Sequence, residues 1–193
     1  MPVLSRRRFL RAGVAFLATT AAARAGAATR EQPRRVSLSC AETGESFDDV
    51  YWADGDYLPQ ALARLDWLLR DFRRDKTMAI DPALIDLVST LGQHLDTRRP
   101  FLVTSGYRSP PTNANLRAEG LPAVDGSTHI FGMAVDICAE GKPLSHLYRA
   151  AVALKAGGVG TYAGAHFLHL DTGPVRVWHW RGRCACGAER SGD

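Results

Sequence analysis

Two apolar runs in this chain carry ionisable residues that a buried strand cannot hold uncompensated. Ala134-Val135-Asp136-Ile137 encloses one carboxylate, and Phe167-Leu168-His169-Leu170 encloses one imidazole, with Asp171 directly after it. A charge in such a run is costly to bury unless a cation or a hydrogen-bonding partner meets it. Both runs belong to one segment, which opens GSTHIFGMAVDI and closes GGVGTYAGAHFLHLDTG. His129 stands seven positions before Asp136, and His166, His169 and Asp171 fall within six positions. Gly132 breaks any helix between His129 and Asp136, so the chain can turn and direct both side chains to one point. His129, Asp136 and His169 thus form a candidate three-ligand N/O set, which is what a catalytic Zn²⁺ site uses while keeping one position open. Gly157-Gly158-Val159-Gly160 would let the backbone pass close beside that metal.

At these residues the sequence resembles a known family. S-x-H-x-x-G-x-A-V-D, then G-G-V-G-x-Y, then F-x-H-x-D-x-G is similar to the zinc murein endopeptidases of the lysostaphin, D-Ala-D-Ala metallopeptidase and sonic hedgehog superfamily, closest to the murein endopeptidase K branch. The likeness extends upstream through Ser105-Gly106-Tyr107-Arg108-Ser109, and more loosely to about Ser37. It implies a zinc peptidase that hydrolyses an amide in the peptide stems or cross-links of peptidoglycan. Two other functions stay open: a D,D-carboxypeptidase, which needs a closed pocket with a cation for a free carboxylate, and a non-catalytic peptidoglycan-binding module that keeps the zinc.

A hydrolytic zinc site needs a group to take a proton from water and pass it to the leaving amine. His166 and Asp171 compete for that role. His166 sits three before the last ligand, where relatives carry a carboxylate or histidine base, and it serves only if it lies on a loop ahead of the strand; Ala163-Gly164-Ala165 supplies such a loop. Asp171, two beyond His169, shares its strand face. His166 is favoured as base, with Asp171 orienting a ligand imidazole. Arg108 follows a core strand at the mouth of the site, and the resemblance implies that it donates to the substrate carbonyl or the oxyanion. Ser127 is expected to cap or orient the His129 loop, with substrate contact as the second possibility.

The first 28 residues read as a leader and not as part of the fold. Ser5-Arg6-Arg7-Arg8-Phe9-Leu10 is a twin-arginine pattern, Ala12 to Ala23 is too short an apolar run to span a membrane, and Ala23-Arg24-Ala25 or Ala25-Gly26-Ala27 offers a cleavage site. Twin-arginine export to the periplasm follows. The leader also accounts for the basic balance: five of the 24 basic residues precede Ala28, leaving 19 against 20 acidic ones. A nucleic-acid partner loses its compositional support. Cys40, Cys138, Cys184 and Cys186 permit disulfides in an exported chain, with a bridge from Cys40 or Cys138 to the C-terminal pair as one expectation. A second metal role for Cys184, Cys186 and His179 is the minor alternative.

The rest of the chain is one α+β domain over residues 36–181, between a linker at 29–35 and a polar tail at 182–193. Val36 to Ser39 and Asp49 to Trp52 read as strands. Leu62, Leu65, Leu69 and Phe72 give a helix over 59–73, and Asp81-Pro82 opens another, with His94 as a helix-end cation. PFLVTS is a buried strand, 113–119 a short helix, and 143–155 the crossover helix, with His146 solvated. Val175 to Trp178 ends the fold. The architecture expected is a small, mainly antiparallel sheet with helices on one side and the zinc cleft across it.

Overall fold

A computed structural model of the chain describes residues 31–181. The leader, its cleavage sites and the Cys184–Cys186 tail lie outside the described residues, and so do the disulfide expectations that involve that tail.

Eight strands form one sheet: β1 (Arg34–Cys40), β2 (Ser46–Ala53), β3 (Asp56–Tyr57), β4 (Phe101–Ser105), β5 (Ala134–Ala139), β6 (Gly158–Tyr162), β7 (Phe167–Asp171) and β8 (Arg176–Trp180). Their order is β3-β2-β1-β4-β5-β7-β6-β8. Antiparallel pairing dominates, as expected, but β1 runs parallel to β4 and β6 parallel to β8. The sheet is wider than a small one, and β1 begins inside the stretch read as linker. Most of the run Gly157-Gly158-Val159-Gly160, read as a glycine-rich approach to the metal, falls within β6, every residue of which is buried.

Four helices complete the fold: α1 (Pro59–Leu68), α2 (Pro82–His94), α3 (Pro110–Ala118) and α4 (Leu144–Leu154). Asp81 caps α2 through a 3.0 Å bond from the Ala83 N–H, with Pro82 at the first turn, where a missing N–H costs nothing. α1 stops five residues short of the expected Arg73. Its amphipathic pattern continues, but Asp71 is drawn away as a buried acceptor for Ser109 and Thr112. The segment after α1 therefore closes as a turn, bridged between Asp71 and Lys76.

Leu65 of α1, Leu84 and Leu91 of α2 and Leu147 of α4 share one core with Val36, Leu38, Val103, Val135, Ile137, Leu168 and Leu170. Strand alternation then decides the opposite face. With Val135, Ile137, Leu168 and Leu170 committed to the helices, Asp136, His169 and Asp171 must project the other way. A slip of one residue would exchange the sets, so the apolar core fixes the register that builds the site.

Candidate metal centre

β5 and β7 pair antiparallel with Asp136 opposite His169. This register alone sets two of the three candidate ligating side chains beside each other on one face. His129 arrives from a 3₁₀ turn, Thr128–Phe131, that ends at Gly132 with φ of 68°. That left-handed conformation favours glycine, and a Cβ there would stand 2.6 Å from the Ala79 carbonyl oxygen. Ser127 precedes the turn, but its side chain makes no capping bond; it lines the cavity over the site instead.

His129 Nε2 lies 3.2 Å from both Asp136 Oδ1 and His169 Nδ1, and His169 Nδ1 lies 2.9 Å from Asp136 Oδ1. All three residues are buried. Tetrahedral zinc with bonds of about 2.0–2.1 Å sets its ligand atoms roughly 3.3 Å apart, so the spacing fits. The outer nitrogens settle the tautomers. His129 Nδ1–H donates to the Gly106 carbonyl at 2.7 Å, and His169 Nε2–H donates to Asp171 Oδ2 at 3.0 Å. Two bare imidazole lone pairs and a carboxylate oxygen then converge on one point, an arrangement that repels itself until a cation enters. The titration shifts of the three groups reflect burial and these same neighbours. Burial works against charge on His169, but its hydrogen bonds to Asp136 and Asp171 prevail and raise its pKa. Burial and the neighbouring Arg108 guanidinium push His129 down to about 4. Burial would raise Asp136, but the charges of His129 and Arg108 outweigh it and hold the carboxyl well below its ordinary range.

Arg108 enters from the loop after β4. Its Nε donates to Ser105 Oγ at 2.8 Å and its NH2 to Asp136 Oδ2 at 2.5 Å, which leaves NH1 without a bond to any described residue. The loop is held at two points. Tyr107 N–H donates to the Leu69 carbonyl at 2.7 Å, and Arg108 N–H donates to the His129 carbonyl at 3.1 Å. Gly106 is obligatory here for space, because a Cβ would stand 2.3 Å from Leu69 O.

Asp171 is fully buried and both oxygens are taken. Oδ1 accepts from Gly158 N–H at 3.3 Å, Gly173 N–H at 2.8 Å and Arg176 NH1 at 3.0 Å; Oδ2 accepts from His169 Nε2–H and from Arg176 NH2 at 2.7 Å. Burial raises its pKa, but the bonds from His169, Arg176 and Gly173 win and depress it. His166 is on the loop ahead of β7, as its use as a base required, but the structure does not bring it to the three ligands. It ends the Ala163–Ala165 turn in a left-handed conformation with φ of 55°, is exposed, and lines neither cavity of the cleft. Cys138 Sγ–H donates to its carbonyl at 3.1 Å.

The three ligating atoms face a cavity of about 360 Å³. Its far wall is aromatic: Tyr162, Trp178 and Trp180, with Trp178 Nε1–H donating to Tyr162 Oη at 3.1 Å. Tyr162 belongs to the G-G-V-G-x-Y motif, but the sequence did not mark Trp178 or Trp180 as site residues. The parallel pairing of β6 with β8, which sets Gly160 beside Trp178 and Tyr162 beside Trp180, is what assembles the wall. A second cavity of about 200 Å³ adjoins on the other side of Arg108 and Asp136 and is lined by Glu42, Arg73, Ser105 and Phe167. The two cavities share Arg108, Leu121, Pro122 and Asp136 in their linings. Among the described residues, His129, Asp136 and His169 form the one metal-compatible group. His179 instead shares a 2.7 Å bond with Thr161 Oγ1 and lies against Tyr148.

Comparison with known proteins agrees with this geometry. Residues 28–178 match the family model described as peptidoglycan L,D-endopeptidase MepK. The peptidoglycan L,D-endopeptidase MepK of Escherichia coli (strain K12) is 40% identical over 166 residues, covering 86% of this chain and 90% of the relative. The probable peptidoglycan L,D-endopeptidase MepK of Haemophilus influenzae is 35% identical over 148 residues, covering 76% and 80%. With nearly the whole described domain inside that match, the chain belongs to the MepK family of zinc metallopeptidases.

Proposed function

We propose that this protein is a zinc-dependent endopeptidase that hydrolyses an amide bond in the peptide cross-links of peptidoglycan. The observation that carries the reading is the convergence of three buried acceptor atoms, from His129, Asp136 and His169, on a cavity of about 360 Å³ that adjoins a second one at Arg108 and Asp136. A carboxypeptidase would need that cleft closed on one side around a terminal carboxylate. Arg108, the cation nearest the ligands, is instead shared between both cavities and engaged with Asp136.

In this reading His129, Asp136 and His169 hold the ion. Zinc with three protein ligands keeps a position open, polarises a carbonyl and makes water acidic enough to ionise near pH 7. Arg108 has two tasks. Its NH2 fixes Asp136 so that Oδ1 faces the ion, and its NH1 is available to the scissile carbonyl as negative charge grows on that oxygen. Asp171 keeps the His169 proton on Nε2, so that Nδ1 presents a lone pair. Tyr162, Trp178 and Trp180 offer flat apolar surface to one arm of the substrate. The exposure of His166 argues against it as the proton acceptor, and Asp171 has no free oxygen for that task. The same substrate class fits an extracytoplasmic location, and the twin-arginine pattern at Arg6-Arg7 favours periplasmic export in the folded state.

Release of soluble fragments from intact sacculi tests this, with zinc measured on each variant. Arg108→Ala should retain zinc and lose roughly 10²–10³-fold in turnover. His166→Ala should retain both zinc and most activity. Wild-type zinc protein that binds sacculi without cutting a peptide would leave only the binding module. Loss of activity in a zinc-replete His166→Ala would return the proton-transfer role to that residue.

A further inference from the structure

β6 places a glycine between two side chains that meet across it. Gly158 pairs with Asp171 of β7 on one side and with Arg176 of β8 on the other, so the three residues form one row across the sheet. Two strand spacings of about 4.8 Å each lie between Asp171 and Arg176. The guanidinium crosses the glycine and grips both carboxylate oxygens, with NH1 donating to Oδ1 at 3.0 Å and NH2 to Oδ2 at 2.7 Å. A Cβ on Gly158 would stand 2.6 Å from Arg176 NH1, and one on Gly173 would stand 3.1 Å from it. Two glycines therefore make the space for this fork. The next row repeats the arrangement: Gly160 pairs with His169 and with Trp178, and the indole lies 5.2 Å from the imidazole between centroids. The Arg176 guanidinium rests over the Trp178 ring, 5.0 Å from its centroid, and so joins the two rows.

Asp171 is fully buried, whereas the Arg176 side chain is 43% exposed and lines the cavity in front of the candidate ligands. Without the arginine, Oδ1 would keep the N–H groups of Gly158 and Gly173, but Oδ2 would keep only the His169 Nε2–H among the described donors. The oxygen that holds the imidazole proton would then lose the bond that fixes the carboxylate plane. A bidentate arginine sets the orientation of a carboxylate as well as balancing its charge, which the point charge of a lysine does not do.

We propose that Arg176 is a positioning residue for the metal: through the Asp171 carboxylate it fixes the His169 ring with Nδ1 toward the ion. The proposal rests on the reading of His129, Asp136 and His169 as the zinc ligands. It gives Arg176 a task that needs its forked geometry and not its charge alone.

The test is competition for zinc between the loaded mature protein and a chromophoric chelator, with circular dichroism and thermal unfolding on each variant. Arg176→Gln should weaken zinc binding by about 10–100-fold, the scale for loss of an orienting partner. Arg176→Lys should fail to restore it, because the fork is lost while the charge stays. Gly158→Ala keeps both charged residues but drives a methyl between them, and should weaken zinc in the same range. The double variant of Arg176→Gln with Asp171→Asn should bind zinc no more weakly than Asp171→Asn alone, since both changes act through one contact. Additive losses in that double variant, or full affinity in Arg176→Lys, overturn the positioning role. Unchanged zinc affinity in a folded Arg176→Gln whose KM for cross-linked stem peptides has risen makes Arg176 a substrate contact and overturns it as well. Wild-type protein that holds no zinc, or a His169→Ala variant that keeps it in full, overturns instead the ligand reading on which the proposal rests.

Discussion

Replacing Asp171 by asparagine changes one atom and should displace a proton about a ring away. The carboxylate accepts from Gly158 N–H, Gly173 N–H and Arg176 NH1 on Oδ1, and from His169 Nε2–H and Arg176 NH2 on Oδ2. An asparagine has a single oxygen, so its NH₂ group must confront donors at one of the two positions. At Oδ1 it would oppose three donors and at Oδ2 two, so the amide nitrogen should settle at Oδ2, facing His169. The imidazole can relieve that conflict by moving its proton from Nε2 to Nδ1. Nδ1 is the atom 2.9 Å from Asp136 Oδ1 that, in the proposed site, would present a lone pair to the ion. Loss of such an orienting partner lowers metal affinity by about 10–100-fold, or roughly 1.4–2.7 kcal/mol. Competition with a chromophoric chelator measures this directly, with circular dichroism establishing that Asp171→Asn is folded. A folded variant whose zinc affinity stays within about 3-fold of wild type would refute the tautomer argument. If that variant were also inactive when zinc-replete, Asp171 would act in the chemistry itself.

Gly106→Ala sets a methyl 2.3 Å from the rigid Leu69 carbonyl oxygen and shifts the carbonyl that orients His129, so thermal unfolding should show a loss of about 1–3 kcal/mol and a smaller stabilisation by added zinc than in wild type. Asp71 is held below the ordinary aspartate value of about 3.9: burial opposes the shift, but the bonds from Ser109, Thr112 and the Arg73 N–H prevail. Its contribution is therefore present above about pH 4 and fades as pH falls through the depressed folded value; denaturant unfolding of Asp71→Asn should show lower stability at pH 7 and a flatter decline below pH 4, and an unchanged decline would remove Asp71 from the account. Exchange of Arg6 and Arg7 for lysine should keep the precursor in the cytoplasm on cell fractionation, and normal periplasmic accumulation of that variant would show the leader to use another route.

The convergence of the candidate metal set was legible because each member breaks a local rule: Asp136 and His169 are ionisable residues within apolar runs, and His129 stands before a glycine that ends a turn. The paired strands then needed only their apolar residues to be placed against the helices for the register to follow. The exposed placement of His166 was not legible, because its direction depends on its own left-handed backbone between a 3₁₀ turn and a strand, and spacing cannot register that reversal. The end of α1 was hidden for a different reason. The bonds that stop it run from Asp71 to Ser109 and Thr112, 38 and 41 positions away, while the local periodicity still reads as helix.

The glycines of β6 show where such reading loses information. A glycine run signals that a side chain is excluded, which in sequence alone suggests a close approach of backbone to metal. In the fold Gly158 and Gly160 are ordinary strand residues whose missing side chains are replaced by groups from other strands. A Cβ on Gly158 would stand 2.5 Å from Asp171 Oδ2, and one on Gly160 would stand 2.3 Å from the Trp178 ring. The two glycines thus admit, in turn, the carboxylate that orients His169 and the indole that walls the cleft, 5.2 Å from the His169 ring between centroids. Composition gives the need for space, but the identity of the occupant depends on the β6–β8 pairing. That pairing is parallel and is joined through β7 and the turn after it, so no hairpin signal announces it.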